Sequence, residues 1–359
     1  MDILLLGAGN IGSAVARMLL DSGDFTVAVA DSNEVRLDDM PEGAAQIVCD
    51  CADSAQLASA MEGKDAVLSA LPFYLNVAIA RLAREHGLHY FDLTEDRETT
   101  AAVRAVADGA QTVFMPQCGL APGFISIAAK QLADRFESLR RVRMRVGALP
   151  MFPSNALAYN LTWSTAGLIN EYCNTCEVIY DGQLREVLPL EGYEQFSLDG
   201  VKYEAFNTSG GLGTLCESLQ GRVDNLNYKT IRYPGHCDLV RFLCNDLRLS
   251  KRRDVFLDVL EQAVPVTTQD VVVVFVTASG ERNGRLMQET YTKKIYHGLV
   301  AGQEMAAIQI TTASAACAMI DLLREGALAP GFRLQEEVSL DTFLGNRFGA
   351  LYERHGDPP

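Results

Sequence analysis

Three glycines near the start of the chain have the spacing of a dinucleotide-binding turn. The apolar residues 3–6 run directly into G-A-G-N-I-G at 7–12, and a helical pattern of apolar residues follows. In such a turn the first glycine permits a tight bend, the second lets the backbone approach a pyrophosphate, and the third lets helix and strand pack closely. The helix N-terminus then faces the phosphates. We therefore expect Gly7, Gly9, Asn10, Ile11 and Gly12 to contact a cofactor.

An acidic residue stands at the matching distance from this turn. Asp31 follows a second apolar run, 25–30, and lies roughly twenty residues beyond the glycines. A carboxylate there accepts hydrogen bonds from the adenosine ribose hydroxyls and repels a 2′-phosphate. Arg36 is close in sequence, but no arginine directly follows the strand. The pattern favours NAD over NADP; the plain alternative is an α/β domain with a tight turn and no nucleotide.

Two polar stretches in the middle of the chain could bind a small substrate. They read E-A-F-N-T-S-G-G at 204–211 and Y-K-T-I-R-Y-P-G-H at 228–236. Glycines beside the hydroxyls of Thr208 and Ser209 would let the backbone approach a ligand closely. These two hydroxyls are therefore candidate substrate contacts.

The second stretch also carries two cations and an imidazole. Arg232 can hold a carboxylate through two parallel hydrogen bonds. His236 has an ordinary pKa near neutrality, roughly 6.5, and could move a proton during turnover, as could the nearby Lys229. The plain alternative is a β-hairpin with solvated charges and an ordinary histidine.

The elements that position these residues alternate between strand and helix up to about residue 122. One apolar strand is predicted to end at 47–50, and three more are predicted at 66–70, 90–93 and 112–115. This alternation is typical of a doubly wound parallel sheet, in which ligands bind beyond the carboxyl ends of the strands. Asp50 is then expected near the adenine edge, and Ala70, Leu71 and Pro72 are expected to form a wall of the cofactor site.

The pattern changes after about residue 124. Period-two alternation appears, and two strands, 271–278 and 286–296, flank a polar loop, which predicts an antiparallel sheet. An alanine-rich helical pattern returns at 311–323. We expect a dinucleotide-binding domain made of 1–122 and 306–359, interrupted by an α+β domain over 123–305 for substrate binding and oligomerisation.

Composition limits the possible partners. A net charge of −15 argues against nucleic acid and anionic membranes, and no apolar run is long enough to span a bilayer. The odd count of nine cysteines, without an export signal, is typical of reduced thiols, so we expect a cytoplasmic protein. Cys173 and Cys176 have C-x-x-C spacing but no complementary pair, so we expect no metal.

The chain resembles the saccharopine dehydrogenase and lysine 6-dehydrogenase family over nearly its whole length. The match is carried by the glycine turn, A-L-P at 70–72, D-L at 92–93, G-L-A-P-G at 119–123, and the two polar stretches. The polar stretches are specific, whereas the glycine turn is generic. Ala121 stands where saccharopine reductases usually carry an acid, so the lysine 6-dehydrogenase branch is the most similar.

The resemblance implies an NAD-dependent amino-acid dehydrogenase, a homodimer, that oxidises a carbon bearing an amine. Hydride passes to the nicotinamide, and the imine of lysine or a related diamino acid is hydrolysed or cyclises. In this reading Arg232 binds the substrate carboxylate, Glu95 or Asp96 holds the distal ammonium, and His236 or Lys229 assists deprotonation of the amine. Gly119 is expected to contact the cofactor.

The resemblance also assigns residues 159–164 to the substrate side of the second domain. This segment is expected to begin a helix, with Asn160 and Ser164 one turn apart on a face directed at the substrate. Two alternatives remain open. One is a saccharopine- or carboxyspermidine-type reductase that joins an amine to a carbonyl, and the other is a non-catalytic nucleotide-binding sensor.

Overall fold

The computed structural model describes residues 1–353, which form two compact units. The first unit comprises Met1–Phe124, Leu299–Gln303 and Gln309–Glu353. In the described chain the second unit comprises Ile125–Gly298 and Glu304–Ile308. The polar, proline-containing end expected in the first domain, residues 354–359, lies outside the described residues.

The secondary structure is numbered here in chain order. The strands are β1 (Asp2–Leu6), β2 (Thr26–Asp31), β3 (Ala45–Val48), β4 (Ala66–Ser69), β5 (His89–Asp92), β6 (Val113–Met115), β7 (Ser138–Pro150), β8 (Cys176–Tyr180), β9 (Gln183–Val187), β10 (Glu194–Leu198), β11 (Val201–Phe206), β12 (Val223–Arg232), β13 (Asp270–Arg282), β14 (Arg285–Tyr296), β15 (Gly298–Val300), β16 (Gln303–Met305) and β17 (Gly331–Phe332). The α-helices are α1 (Asn10–Asp21), α2 (Glu34–Asp38), α3 (Ser54–Met61), α4 (Asn76–Glu85), α5 (Arg97–Val106), α6 (Phe124–Ala133), α7 (Thr165–Cys173), α8 (Leu215–Leu219), α9 (His236–Arg241), α10 (Arg253–Ala263), α11 (Ala307–Arg324) and α12 (Leu340–Gly345).

The first unit is built on a seven-stranded parallel sheet. Its strand order is β17-β6-β5-β4-β1-β2-β3. The central strand β1 is buried on both faces, which explains why residues 3–6 are an unbroken apolar run rather than an alternating one. The order reverses at β1, which lies between β2 and β4, and ligands of such sheets bind at this reversal. The predicted doubly wound sheet is confirmed.

The second unit is built on a mixed sheet in the order β10-β11-β12-β7-β13-β14. All neighbours along it are antiparallel except β12 and β7. The β13–β14 hairpin is longer than the sequence pattern predicts. Its turn contains only Asn283 and Gly284, both with positive φ (53° and 67°), and two such residues close a hairpin without further loop.

Alternation along β12 separates its side chains onto two faces of this sheet. Ile231 packs with Leu149 and Tyr203 in a small core on one face, and Lys229 shares that face because it lies two residues away. Arg232 and Thr230 point to the other face. Two of the residues that the sequence groups together, Lys229 and Arg232, are therefore on opposite sides of the sheet.

A buried carboxylate holds the start of α11. Asp270 is fully buried, and it accepts hydrogen bonds from the backbone N–H groups of Ala307 and, at 3.1 Å, Ile308. These are N–H groups that a helix leaves without an intrahelical partner. Burial raises the pKa of Asp270 to about 6. Within residues 1–353, none of the helices combines the length and apolarity needed to cross a bilayer.

Candidate functional site

The glycine turn of the first unit has the geometry of a phosphate cradle. Gly7 has φ +104°, and its N–H donates to the carbonyl of Ala30 at 2.8 Å. A Cβ on Gly12 would lie 1.9 Å from the carbonyl oxygen of Gly7, so this position requires glycine. A Cβ on Gly9 would meet nothing within 4 Å, and among the described residues no side chain caps α1. Open space in front of uncapped N–H groups fits a pyrophosphate.

Asp31 connects this turn to the end of β2. One carboxylate oxygen accepts from the N–H of Ala8 at 2.8 Å and the other from the N–H of Asn33 at 2.9 Å. The side chain is therefore fixed at the edge where an adenosine ribose would lie. Asp50 lies just beyond the neighbouring strand β3, is exposed, and accepts from the N–H of Ala52 at 3.0 Å.

The loop after β4 lies beside the turn as the sequence predicts. An added Cβ on Gly7 would be 3.0 Å from the carbonyl oxygen of Ala70 and 3.2 Å from the side chain of Leu71. Pro72 follows at the start of a short 3₁₀ turn. Gly119 lies past β6, where its carbonyl accepts from the N–H of Phe124 at 2.9 Å.

The acidic turn after β5 is organised by a buried carboxylate. Asp92 is fully buried and accepts from the Tyr90 hydroxyl at 2.7 Å and from the N–H groups of Thr94 and Gln117, both at 2.9 Å. Asp96 caps α5 by accepting from the N–H of Thr99 at 2.7 Å. One oxygen of Asp96 therefore has a structural role. Glu95 beside it is half-buried.

The second unit contains a buried cation surrounded by tyrosines. Arg232 is 3% exposed, and its guanidinium lies over the rings of Tyr159 and Tyr172, at 4.9 and 5.8 Å from their centroids. Its Nε donates to the Tyr172 hydroxyl at 3.1 Å, and its Nη1 donates to Thr230 Oγ1 at 2.6 Å. Its Nη2 lies 3.5 Å from a carboxylate oxygen of Glu171. The plain alternative of a hairpin with solvated charges does not hold for Arg232, because this charge is buried and bound.

His236 joins this cluster with a defined tautomer. Its Nδ1 lies 2.8 Å from the carbonyl of Leu157, which can only accept, so Nδ1 carries the proton. Its Nε2 then accepts from the hydroxyl of Tyr172 at 2.9 Å. Burial, together with the charge of Arg232, lowers the pKa of His236 to about 3. The ring is therefore neutral at physiological pH, and both nitrogens are engaged within the protein.

Lys229 lies on the other face of the sheet, in an ion-pair cluster. Its Nζ donates to Glu194 Oε2 at 2.8 Å and to the carbonyl of Gly192. Glu194 also receives hydrogen bonds from Nε and Nη2 of the buried Arg145. Burial raises the pKa of Glu194, but the hydrogen bonds and charges of Arg145 and Lys229 outweigh burial and lower it to about 2. The structure does not bring Lys229 to Arg232.

The helix expected from residue 159 begins later. α7 starts at Thr165, and Ser164 is its N-cap, accepting from the N–H of Gly167 at 3.2 Å. Asn160 lies outside the helix, so the prediction that Asn160 and Ser164 share a helical face is wrong. The reason is that a serine side chain can replace the missing intrahelical acceptor and so starts a helix where it stands.

Two polar side chains of the second unit have buried atoms that the described residues leave unpaired. The Asn160 Oδ1 and the Thr208 Oγ1 are buried without a hydrogen-bond partner there. Thr208 lies two residues past Phe206, which is the last residue of β11 and pairs with Thr230 of β12. Buried polar atoms are normally hydrogen-bonded, so these two atoms are candidate partners for a polar ligand. Ser209, by contrast, donates to the carbonyl of Asn170 at 3.0 Å.

The sequence gives little signal for the partners of Arg232. Glu171 and Tyr172 are far from it in the chain and belong to no recognisable motif, whereas Tyr159 begins the segment 159–164 that the family resemblance assigns to the substrate side. Their contribution depends on α7 packing over the end of β12. The one sequence signal for Glu171 and Tyr172 is that these polar residues lie in the helical pattern predicted from residue 159 onward.

The cysteines form no metal site in the described chain. All nine are free thiols, and no group of three or more His, Cys, Asp or Glu among the described residues could hold a metal ion. Cys173 is hydrogen-bonded by Cys244, which lowers its pKa to about 7. Cys176 instead faces the carbonyl of Asn174 at 3.8 Å.

Comparison with known proteins identifies the family. The saccharopine dehydrogenase NADP binding domain matches residues 3–115, and the saccharopine dehydrogenase C-terminal domain matches residues 119–346. The chain therefore belongs to the saccharopine dehydrogenase family, whose first domain binds a nicotinamide dinucleotide. The resemblance seen in the sequence is confirmed at the level of the family.

Individual relatives are distant. The chain is 24% identical over 196 residues to a saccharopine dehydrogenase (NADP⁺, L-glutamate-forming) of Schizosaccharomyces pombe, covering 52% of this chain and 43% of that protein. It is 22% identical over 294 residues to the protein of that name from Pyricularia oryzae, covering 79% and 65%. The chain thus spans between about two fifths and two thirds of these relatives' length. The apo structure of saccharopine dehydrogenase (L-Glu forming) from Saccharomyces cerevisiae superposes with TM-score 0.78 at 18% identity, covering 95% of each chain.

Proposed function

We propose that this protein is an NAD-dependent dehydrogenase that oxidises the amine-bearing carbon of an amino acid, with lysine or a related diamino acid as substrate. One observation carries the proposal: the guanidinium of Arg232 is buried and held by Tyr159 and Tyr172, and Asn160, the chain neighbour of Tyr159, has an unpaired buried amide oxygen. A guanidinium binds a substrate carboxylate well in such a dry environment. The amide oxygen of Asn160 is a pure acceptor and suits an ammonium or amine N–H.

The charges of the second unit favour a substrate with one carboxylate at this site. Three cations are buried in its described part: Arg145, Lys229 and Arg232. Arg145 and Lys229 both bind Glu194 on the opposite face. On the face opposite Glu194 the buried cation is Arg232, whose Nη2 lies 3.5 Å from Glu171. One such cation suits the single carboxylate of lysine, whereas saccharopine carries several carboxylates.

The chemistry expected of the site follows from the substrate. A nicotinamide dinucleotide, when bound, accepts the hydride that leaves the amine-bearing carbon. The amine must first lose a proton, because only its lone pair can form the C=N bond as the hydride departs. The resulting iminium then takes up water and releases ammonia, or is attacked by a second amine of the same molecule. Arg232 orients the substrate during these steps.

The preference for NAD is supported by Asp31. Its carboxylate is fixed by two backbone N–H groups at the end of β2, where a 2′-phosphate would meet a negative charge. The only nearby cation on α2 is the exposed Arg36. The curated relatives and the matching domain carry NADP in their names, so cofactor choice is where this chain would depart from them. Asp31→Asn should raise kcat/KM for NADP relative to NAD about tenfold; an unchanged ratio would remove Asp31 from cofactor selection.

The first experiment is NADH formation at alkaline pH with NAD, in the presence of L-lysine, L-ornithine or saccharopine, with NADP in parallel. Turnover with lysine and NAD is the expected result. Arg232→Ala should then raise KM for lysine at least about tenfold without changing the affinity for NADH. An unchanged KM would exclude Arg232 from the substrate site.

A second candidate function is a saccharopine-type reductase, which joins an amine to a carbonyl. The family assignment and the names of both curated relatives favour it. Activity with saccharopine alone, or NADPH oxidation that needs both an amino acid and a keto acid, would establish this function instead. It would also require a second carboxylate-binding group besides Arg232.

A further inference from the structure

A continuous hydrogen-bond chain runs from Arg232 into the interior of the second unit. The Nε–H of Arg232 donates to the Tyr172 hydroxyl at 3.1 Å, and that hydroxyl donates to His236 Nε2 at 2.9 Å. His236 Nδ1–H donates to the carbonyl of Leu157 at 2.8 Å. The carbonyl can only accept, and the guanidinium can only donate. The two ends therefore fix the direction of every bond between them.

We propose that His236 is a positioning residue for substrate binding: by accepting the Tyr172 proton it turns the hydroxyl lone pair toward Arg232 and fixes the guanidinium for a substrate carboxylate. This inference rests on the proposed function, since it takes Arg232 as the carboxylate-binding group. It assigns His236 a role that differs from proton transfer to the substrate.

The packing around the imidazole supports a fixed ring. His236 is 2% exposed and stacks on Phe206, with 11° between the ring planes. Tyr159 meets the same ring edge-on, with centroids 5.3 Å apart, and itself stacks against the guanidinium. A ring held in this way keeps its nitrogens on fixed partners. Its electrostatic neighbourhood reinforces a neutral ring, because a second positive charge beside Arg232 would be unfavourable.

Two substitutions distinguish the roles of the two imidazole nitrogens. In His236→Gln the side-chain amide reaches the place of Nε2 and can still accept from Tyr172, while the bond to Leu157 is lost. In His236→Asn the amide reaches only the place of Nδ1, so it keeps Leu157 and loses Tyr172. We expect His236→Asn to raise KM for L-lysine about tenfold with kcat changed less than about twofold, and His236→Gln to restore KM to near the wild-type value.

Tyr172→Phe tests the same chain without altering the imidazole, and it should raise KM by about the same factor as His236→Asn. Tyr233→Phe is the matched control, because its hydroxyl donates to the carbonyl of Pro150 at 3.0 Å and belongs to the core on the other face. Equal KM values for the Asn and Gln variants would overturn the inference. A large loss of kcat in both would show that His236 carries a proton.

A readout without substrate keeps this inference separate from the proposed function. In protein labelled with ¹⁵N-arginine, the Nε–H resonance of Arg232 should shift in His236→Asn and Tyr172→Phe and stay in place in His236→Gln. If the resonance shifts in this pattern but Arg232→Ala leaves KM for L-lysine unchanged, the proposed function is refuted and the hydrogen-bond chain is retained. An unmoved resonance in all three variants would refute the chain itself.

Discussion

Replacing Glu194 by glutamine tests whether the cluster around Lys229 stabilises the fold rather than serving the substrate. The pKa of Glu194 falls from 4.5 to about 2 because Arg145 and Lys229 outweigh the effect of burial. At about 1.4 kcal/mol per tenfold change, this fall corresponds to about 3 kcal/mol. The Glu194 side chain is 32% exposed, and solvent screening reduces the expected loss to about 2 kcal/mol.

The assay is urea unfolding followed by the fluorescence of Trp163, the only tryptophan of the chain, which lies in the second unit. Because the folded-state pKa of Glu194 is lowered, its contribution is present above pH 4.5 and is lost as the pH falls toward 2. The difference between wild type and Glu194→Gln should therefore be largest at pH 7 and shrink below pH 4.5.

The matched control is Glu281→Gln, which breaks the exposed pair between Arg140 and Glu281 at 2.7 Å. Exposed pairs contribute at most about 1 kcal/mol, so this variant should be almost as stable as the wild type. Equal losses in the two variants, or a loss in Glu194→Gln that does not depend on pH, would refute the reasoning. KM for L-lysine should be unchanged in Glu194→Gln, because the cluster lies on the face opposite Arg232.

Three further outcomes are expected. Gly9→Ala should fold normally, because its Cβ enters open space, and should bind NADH more weakly, because that space is the one assigned to the pyrophosphate. Gly12→Ala should lower Tm by about 5 °C or more, because its Cβ would lie 1.9 Å from the backbone of Gly7. Equal Tm values for the two variants would contradict this. Alkylation of Cys173 by iodoacetamide should have a midpoint near pH 7 that moves toward 9 in Cys244→Ala, since the Cys244 hydrogen bond lowers the pKa of Cys173, and an unchanged midpoint would refute that cause. Burial raises the pKa of Asp270 from 3.8 to about 6, so its contribution to stability is present below pH 3.8 and is lost as the pH rises through 6. Asp270→Asn should abolish that slope in a thermal-unfolding series, and a parallel series would count against it.

The nucleotide-binding part of the fold could be predicted because its signals are local. The glycines at 7, 9 and 12 lie within one turn. Gly7 and Gly12 allow close backbone contacts there, and Gly9 leaves space open. The parallel sheet follows from unbroken apolar strands that alternate with helices. Both features depend on residues that are close in sequence, so they can be predicted from local sequence patterns.

The substrate side could be predicted only in part, because its geometry depends on distant contacts. The residue type and neighbours of Arg232 predict a carboxylate-binding role, yet Tyr159 and Tyr172, which hold its guanidinium, precede it by many residues. Lys229 is close to Arg232 in sequence, but an odd separation along a strand places the two side chains on opposite faces. Because residues 228–232 belong to a strand, Lys229 and Arg232, three residues apart, lie on opposite faces of the sheet.

The division of the first unit into segments sets an order of events on the ribosome. The strand β17 pairs with β6, Gly331 with Val113, and the whole sheet of the second unit lies between them in sequence. During synthesis the first six strands of this sheet are made before the second unit, so we expect the edge of β6 to stay open until β17 has been made. The last segment of the described chain both completes that sheet and closes the edge that could pair with another nascent chain.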